Sequence, residues 1–214
     1  KHPVPNVERH EKIAILFVLV KLYFLPIMLN FMFSNYSAVK NEIIKLPALS
    51  TLLTIDSFNN IIFPLVFSIV FFIDTLFFAF GYTFEAGFLK NKIRSVEPTA
   101  LGWIVTLLCY PPFNGIFDNY SDWYANDNVF FYSSNLTFIV RIFLILLLFV
   151  YVSATLALGT KSSNLTNRGI VGYGPYKYIR HPAYISKNLF WWITVIPIMN
   201  IFAFFSMFSW SVVY

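Results

Sequence analysis

The stretch LTFIVRIFLILLLFVYVSATLAL, residues 136–158, carries a single charged side chain, Arg141. At about 1.5 Å of rise per residue it is long enough, as a helix, to cross the roughly 30 Å hydrocarbon core of a bilayer. Nothing in it alternates with the period of a strand, and backbone inside lipid has to satisfy its own hydrogen bonds, which selects a helix. Four further apolar runs qualify by the same criterion: 13–33, 61–84, 100–117 and 189–214. The last one is open between a single crossing and a short helical hairpin that turns at Pro197 and Asn200, since proline stops helices and asparagine suits turns. The sequence predicts an all-α integral membrane protein of about five transmembrane helices, forming one domain over residues 1–214.

Composition agrees. Charged residues make up 12% of the chain, against about 25% in soluble domains, and apolar residues 58%. The net charge of +5 is not a nucleic-acid signal, because the basic residues sit in short connections between apolar runs. Lys and Arg divide eleven to two between alternate sides, which predicts a cytoplasmic location for the connection 159–188 and for the N-terminal segment. The lone Cys109 reads as a structural thiol in an apolar run. The opening Lys1-His2-Pro3 in place of Met reads as a trimmed N-terminus, and no cleavable signal peptide is recognisable. A bacterial inner membrane is the expected location.

Charges inside apolar runs are costly and are usually paired or functional. Lys21 and Asp74 fall at similar depth on consecutive antiparallel helices, so a structural ion pair is expected; a pocket role for Asp74 and separate solvation are the alternatives. Arg141, near the outer end of its run, is expected to snorkel to the headgroups. Trp103, Trp123, Trp191, Trp192 and Trp210 read as an interfacial aromatic belt, with Trp191 and Trp192 the candidates for exceptions.

Chemistry concentrates in GPYKYIRHPAY, residues 174–184. Gly169, Gly172 and Gly174 do not make a dinucleotide fingerprint, because no strand precedes them and Pro175 follows at once. They suit tight turns or close approach to a ligand. Arg180, His181, Tyr176, Tyr178 and Tyr184 meet where a new helix begins at Pro182, since proline is favoured in a first helical turn. Taken alone, this cluster reads equally as an interfacial anchor and as a binding site. Ligands to accompany His181 on a metal are not evident.

The same eleven residues resemble the Gly-Pro-Tyr-x-Tyr-x-Arg-His-Pro-x-Tyr signature of the isoprenylcysteine carboxyl methyltransferase family. That group of multi-span enzymes includes phospholipid methyltransferases and is distantly similar to membrane sterol reductases. The resemblance implies a helical hairpin after the signature, S-adenosylmethionine as cofactor beneath the cytoplasmic surface, and a lipid-borne or small hydrophobic methyl acceptor entering from the bilayer. It implies cofactor contacts from Tyr176, Tyr178, Arg180, His181, Pro182 and Tyr184. Arg180 suits a carboxylate of the cofactor or acceptor and is the expected catalytic residue, and a tyrosine face suits the sulfonium or adenine. The family's later segment, with an arginine and two glutamates, has no counterpart before Tyr214, and the chain reads as ending short of it. A reductase using NADPH and a non-catalytic membrane interaction protein are the competing expectations.

Overall fold

The computed structural model describes residues 8–213; Lys1, His2 and Tyr214, on which readings of the termini rest, lie outside them. The chain opens with helix α1, Arg9–Ile44, which starts at a capping box formed by Glu8 and Glu11 and runs through Pro26. Its 36 residues give about 54 Å of helix, so it outlasts the apolar run that predicts it. Two short helices, α2 (Leu49–Leu52) and α3 (Ile55–Ser57), lead through a π-turn at Phe58–Ile62 into α4, Phe63–Thr83. After a two-stranded ribbon element β1 (Ser95–Val96) come α5, Ala100–Leu108, and α6, Asn114–Asp118. Helix α7 spans Ser134–Leu158 and ends at Gly159, whose φ is +53°. Strand β2, Thr166–Asn167, pairs antiparallel with β1. Helices α8, Pro182–Val195, and α9, Ile201–Val213, close the chain.

Among the described residues, three helical stretches, His10–Ile44, Ile55–Thr83 and Ser134–Lys161, are long and apolar enough to cross a membrane. The all-α expectation therefore holds with three such helices and not with five. The run 100–117 fails because α5, capped by Thr99 accepting from the Gly102 N–H, lasts nine residues. That is about 14 Å, less than half a bilayer. Pro111 and Pro112 follow; they lack the N–H a helix needs and push the residue before them out of helical geometry. From residue 189 to 213 the run is the end of α8 plus all of α9, joined through Ile196–Ile198, and Trp192 meets Phe204 and Ser211 across the break, so the two arms fold back on each other as the hairpin reading expects.

Residues 119–133 contain no helix and lie against the first turns of α7. Arg141 holds them. It is 1% exposed, its Nη2 donates to the Val129 carbonyl at 3.1 Å and the Asn128 carbonyl at 3.3 Å, and its Nη1 donates to the Asn59 carbonyl in the π-turn. Its guanidinium also lies 4.6 Å from the ring centres of Phe63 and Phe130. Snorkelling is thus overturned: three carbonyls and two ring faces inside the protein replace the headgroups.

The helices α4, α7 and α8 enclose a core of Phe63, Val70, Leu144, Leu148 and Phe190. A second core joins Val20, Phe24 and Met28 of α1 to Ala79 and Tyr82 of α4. Within it α1 and α4 settle at a register that puts Lys21 beside Thr83, whose carbonyl accepts from Nζ at 3.4 Å. Asp74 lies nine residues, about 14 Å, further along α4. The expected Lys21–Asp74 pair is therefore not formed.

Candidate functional site

Helix α8 explains the site by its periodicity. Pro182, Ser186, Phe190 and Thr194 recur every four residues and are buried against the bundle. The neighbouring stripe, Ala183, Tyr184, Lys187 and Trp191, faces a cavity of about 920 Å³. Opposite it, α4 contributes Phe71 and Asp74, and α7 contributes Tyr151 and Thr155. Trp123 and Trp210 line a further part of the wall, and Lys161, Ser163, Asn164 and Arg168 form the end nearest the close of α7.

Asp74 is the buried acid of this cavity, 8% exposed. The Tyr151 hydroxyl donates to its Oδ2 at 2.7 Å and the Thr155 hydroxyl to its Oδ1 at 2.6 Å, so both carboxylate oxygens accept from adjacent turns of α7. The Lys187 ammonium acts on it electrostatically, and both groups meet the Tyr151 side chain. That ammonium lies 5.0 Å from the Trp191 ring, 5.5 Å from Tyr151 and 5.6 Å from Phe71, a three-sided aromatic surround. Trp123 stands edge-on to Trp191 at 4.6 Å and to Trp210 at 5.4 Å. These three tryptophans line the cavity. Trp103 donates to the Glu97 carbonyl at 2.9 Å and Trp192 to Ser211 Oγ at 2.9 Å.

The signature residues divide. Tyr176 and Tyr184 line the cavity, and burial, with Tyr184 and Asp74 nearby, pushes the Tyr176 hydroxyl up to about 12. Pro182 is buried as the first residue of α8. Tyr178 is 81% exposed, and Arg180 and His181 are exposed and outside the lining. The physical reason is that α8 starts at Pro182: the helical register carries Tyr184 inward, whereas residues 178–181 precede it on the surface. His181 keeps an edge contact with the Tyr184 ring at 6.1 Å, and its carbonyl accepts from the Ile185 N–H.

Sequence reasoning missed Tyr151, Thr155, Lys187 and Arg168. Lys187 was legible, because a helix begun at Pro182 places it one turn after Ala183. Cys109 also borders the cavity, with its thiol directed at the Val105 carbonyl at 3.4 Å. Asp127, in the irregular segment, is pushed up to about 6 by burial, an effect that Lys187 partly offsets.

A carboxylate among electron-rich ring faces suits a cationic ligand group, and the volume lies within the roughly 300–1,000 Å³ of small-molecule sites. Compared with protein-family models, with characterised proteins and with solved structures, the chain matches none.

Proposed function

We propose that the chain is an S-adenosylmethionine-dependent membrane methyltransferase whose cofactor and hydrophobic acceptor share the cavity between α4, α7 and α8. The observation that carries the reading is the meeting, in one cavity, of Tyr176 and Tyr184 of the 174–184 signature with the Asp74 carboxylate and the Trp191 and Tyr151 rings. The donor set fits the cofactor's charges. Asp74, which also faces Lys187, would offer its carboxylate to the ammonium, and the rings of Trp191 and Tyr184 would offer their faces to the sulfonium. When bound, the cofactor would supply an electrophilic methyl for a lone pair of the acceptor, with its sulfur taking up the electrons of the broken carbon–sulfur bond.

The chain's residues contribute alignment and exclusion of water, which is most of what an in-line displacement needs. Met28, Phe31 and Phe78 give the cavity an apolar wall on the α1 and α4 side, suited to a lipid-borne or small hydrophobic acceptor. Tyr178, Arg180 and His181 have no place in this site. The β1–β2 pairing keeps the basic connections 84–99 and 159–188 at one end of the bundle, and their charge supports a cytoplasmic location for 159–188, with a bacterial inner membrane as the setting.

The test is calorimetric titration of detergent-purified protein with S-adenosylmethionine and, in parallel, NADPH. Saturable binding of the first alone is expected, weakened at least about tenfold by Trp191→Leu, as loss of a desolvated cation–π partner implies. Binding of NADPH alone moves the protein to a reductase reading, and indifference to Trp191→Leu refutes the pocket assignment.

A further inference from the structure

The end of the cavity remote from Asp74 is basic, and its basic group is unusually well anchored. Arg168 is 3% exposed. Its Nε donates to Ser163 Oγ at 3.1 Å and its Nη1 to the Asn91 carbonyl at 3.0 Å. Asn91 is itself pinned: its amide oxygen accepts from the Ala86 N–H at 3.0 Å, and its amide nitrogen donates to the Phe84 carbonyl at 2.8 Å. The Phe17 ring lies 5.6 Å from the guanidinium. With Nε and Nη1 engaged, Nη2 is buried and has no acceptor. A buried donor without a partner calls for an explanation, and a ligand is one.

One further cation lines that end, and another, exposed and outside the lining, packs against Gly169. Lys161 lines the same end of the cavity. Gly169, at φ +96°, brings its backbone so close to the Arg94 guanidinium that a Cβ would stand 2.9 Å from Cζ. A guanidinium fixed on two sides with one amino group to spare suits a carboxylate or phosphate oxygen.

We infer that this end of the cavity is an oxyanion subsite, in which Arg168 Nη2 and the Lys161 ammonium hold a carboxylate or phosphate carried by the ligand. The inference rests on the cavity being a ligand site, and it transfers to Arg168 the anion-holding role that the signature suggests for Arg180. Two sources share this chemistry: the amino-acid carboxylate of the proposed cofactor, and the phosphate of a lipid headgroup.

The experiment titrates the protein, in a maltoside detergent that carries no phosphate, with three probes. They are S-adenosylmethionine, its decarboxylated analogue, and dihexanoyl phosphatidic acid. Lys161→Gln, at a half-buried position, is compared with Arg168→Lys and Arg180→Gln, each checked for unchanged melting temperature and gel-filtration profile. The expected result is that at least one of the two probes bearing a carboxylate or phosphate binds, about five- to tenfold more weakly with Lys161→Gln and more weakly still with Arg168→Lys, while Arg180→Gln stays within twofold. A carboxylate source appears as a Lys161 effect on S-adenosylmethionine that its decarboxylated analogue lacks; a phosphate source appears as the same effect on the phosphatidic acid. Should Arg168→Lys fail to fold, Lys161→Gln decides alone. Binding of S-adenosylmethionine that ignores Lys161, with no Lys161-dependent phosphatidic acid binding, overturns the subsite and leaves the methyltransferase reading standing. Lys161-dependent binding of phosphatidic acid without any of S-adenosylmethionine sustains the subsite and refutes that reading. Failure of both the carboxylate-bearing S-adenosylmethionine and the phosphatidic acid to bind overturns the subsite.

Discussion

Removing the two hydroxyls that hold Asp74 should unlock the wall of the cavity, and the cost follows from their geometry. The bonds are short, 2.7 Å from Tyr151 and 2.6 Å from Thr155, and the acceptor is 8% exposed. A hydrogen bond to a charged group contributes about 1.5–3 kcal/mol, whereas side-chain bonds between membrane helices average about 0.6 kcal/mol. Burial and the paired arrangement put these two in the upper class. Tyr151→Phe keeps the ring contact with Phe71, 5.6 Å between centres, and loses only the hydroxyl. Thr155→Val is close to isosteric. Each is expected to cost about 1.5–3 kcal/mol, and the pair about 3–6 kcal/mol, because the second loss leaves the carboxylate without a hydroxyl donor. In an Asp74→Asn background the cost of Tyr151→Phe should fall to about 0.6 kcal/mol or less, since the partner is then neutral. Reversible unfolding in mixed detergent micelles, read by tryptophan fluorescence, supplies the free energies for the double-mutant cycle. Single losses below about 0.6 kcal/mol with no coupling to Asp74 would refute the claim that this network fixes the cavity wall.

Asp127→Asn tests the irregular segment through pH. Its carboxyl is raised to about 6 from an ordinary 3.8, so the folded state holds a proton that the unfolded state has released between those values. The associated stability is complete below pH about 4 and lost as pH rises through about 6. Discounted for partial exposure, Asp127→Asn should stabilise the protein by about 1–2 kcal/mol at pH 7.5 and by nothing measurable at pH 4, in chemical denaturation at each pH. Gly81→Ala addresses the packing of α4 against the segment after α7: its Cβ would stand 2.1 Å from the Ser162 carbonyl oxygen. Backbone cannot yield as a side-chain tip does, so a loss of about 1–3 kcal/mol or more is expected, together with faster hydrogen exchange over residues 159–163. An unchanged melting temperature would show that this contact carries no weight.

Much of the fold was legible because lipid imposes a single local solution on a long apolar run, and 136–158 became a helix to within two residues of its reading. The failures occurred where apolarity and helicity part. Residues 100–117 stay apolar through Phe113 and Ile116, so the run looks continuous, yet Pro111 and Pro112 had already signalled the break. Within the site, the signature named Tyr176, Tyr178, Arg180, His181, Pro182 and Tyr184 together, and a motif of residue types does not say which of them turn inward. The start of α8 at Pro182 fixes which side chains turn inward, and it argues for Tyr184 and Lys187 instead. Asp74 was recognised as costly and matched to Lys21 on estimated depth, an estimate that the actual register of α1 on α4 displaces by nine residues. Arg168 was beyond sequence reading, since its partner Asn91 lies 77 positions away and the two meet through the β1–β2 ribbon and the contacts of Asn91 and Leu89 with Thr160.

The missing stretch of helix is what leaves room for a site. Backbone beside membrane helices persists outside a helix only where protein groups satisfy it, and residues 118–133 are satisfied one contact at a time. Trp210 Nε1 donates to the Ser121 carbonyl at 2.9 Å, and Ser206 Oγ donates to that of Asp122. The Trp123 N–H donates to Asp118 Oδ1 at 3.0 Å. Thr137 Oγ1 accepts from the Phe131 N–H at 2.9 Å and donates to the Phe131 carbonyl at 3.2 Å, and Arg141 takes the carbonyls of Asn128 and Val129. Buried polar residues on α7 and α9 that would be anomalous in a plain helical bundle thus have a common role. They support an extended segment that is thinner than a helix, and Trp123, carried on that segment, reaches the cavity wall. A bundle that filled the same space with a fourth straight helix would bury Asp74 and Lys187 against side chains, with no cavity between them for a ligand.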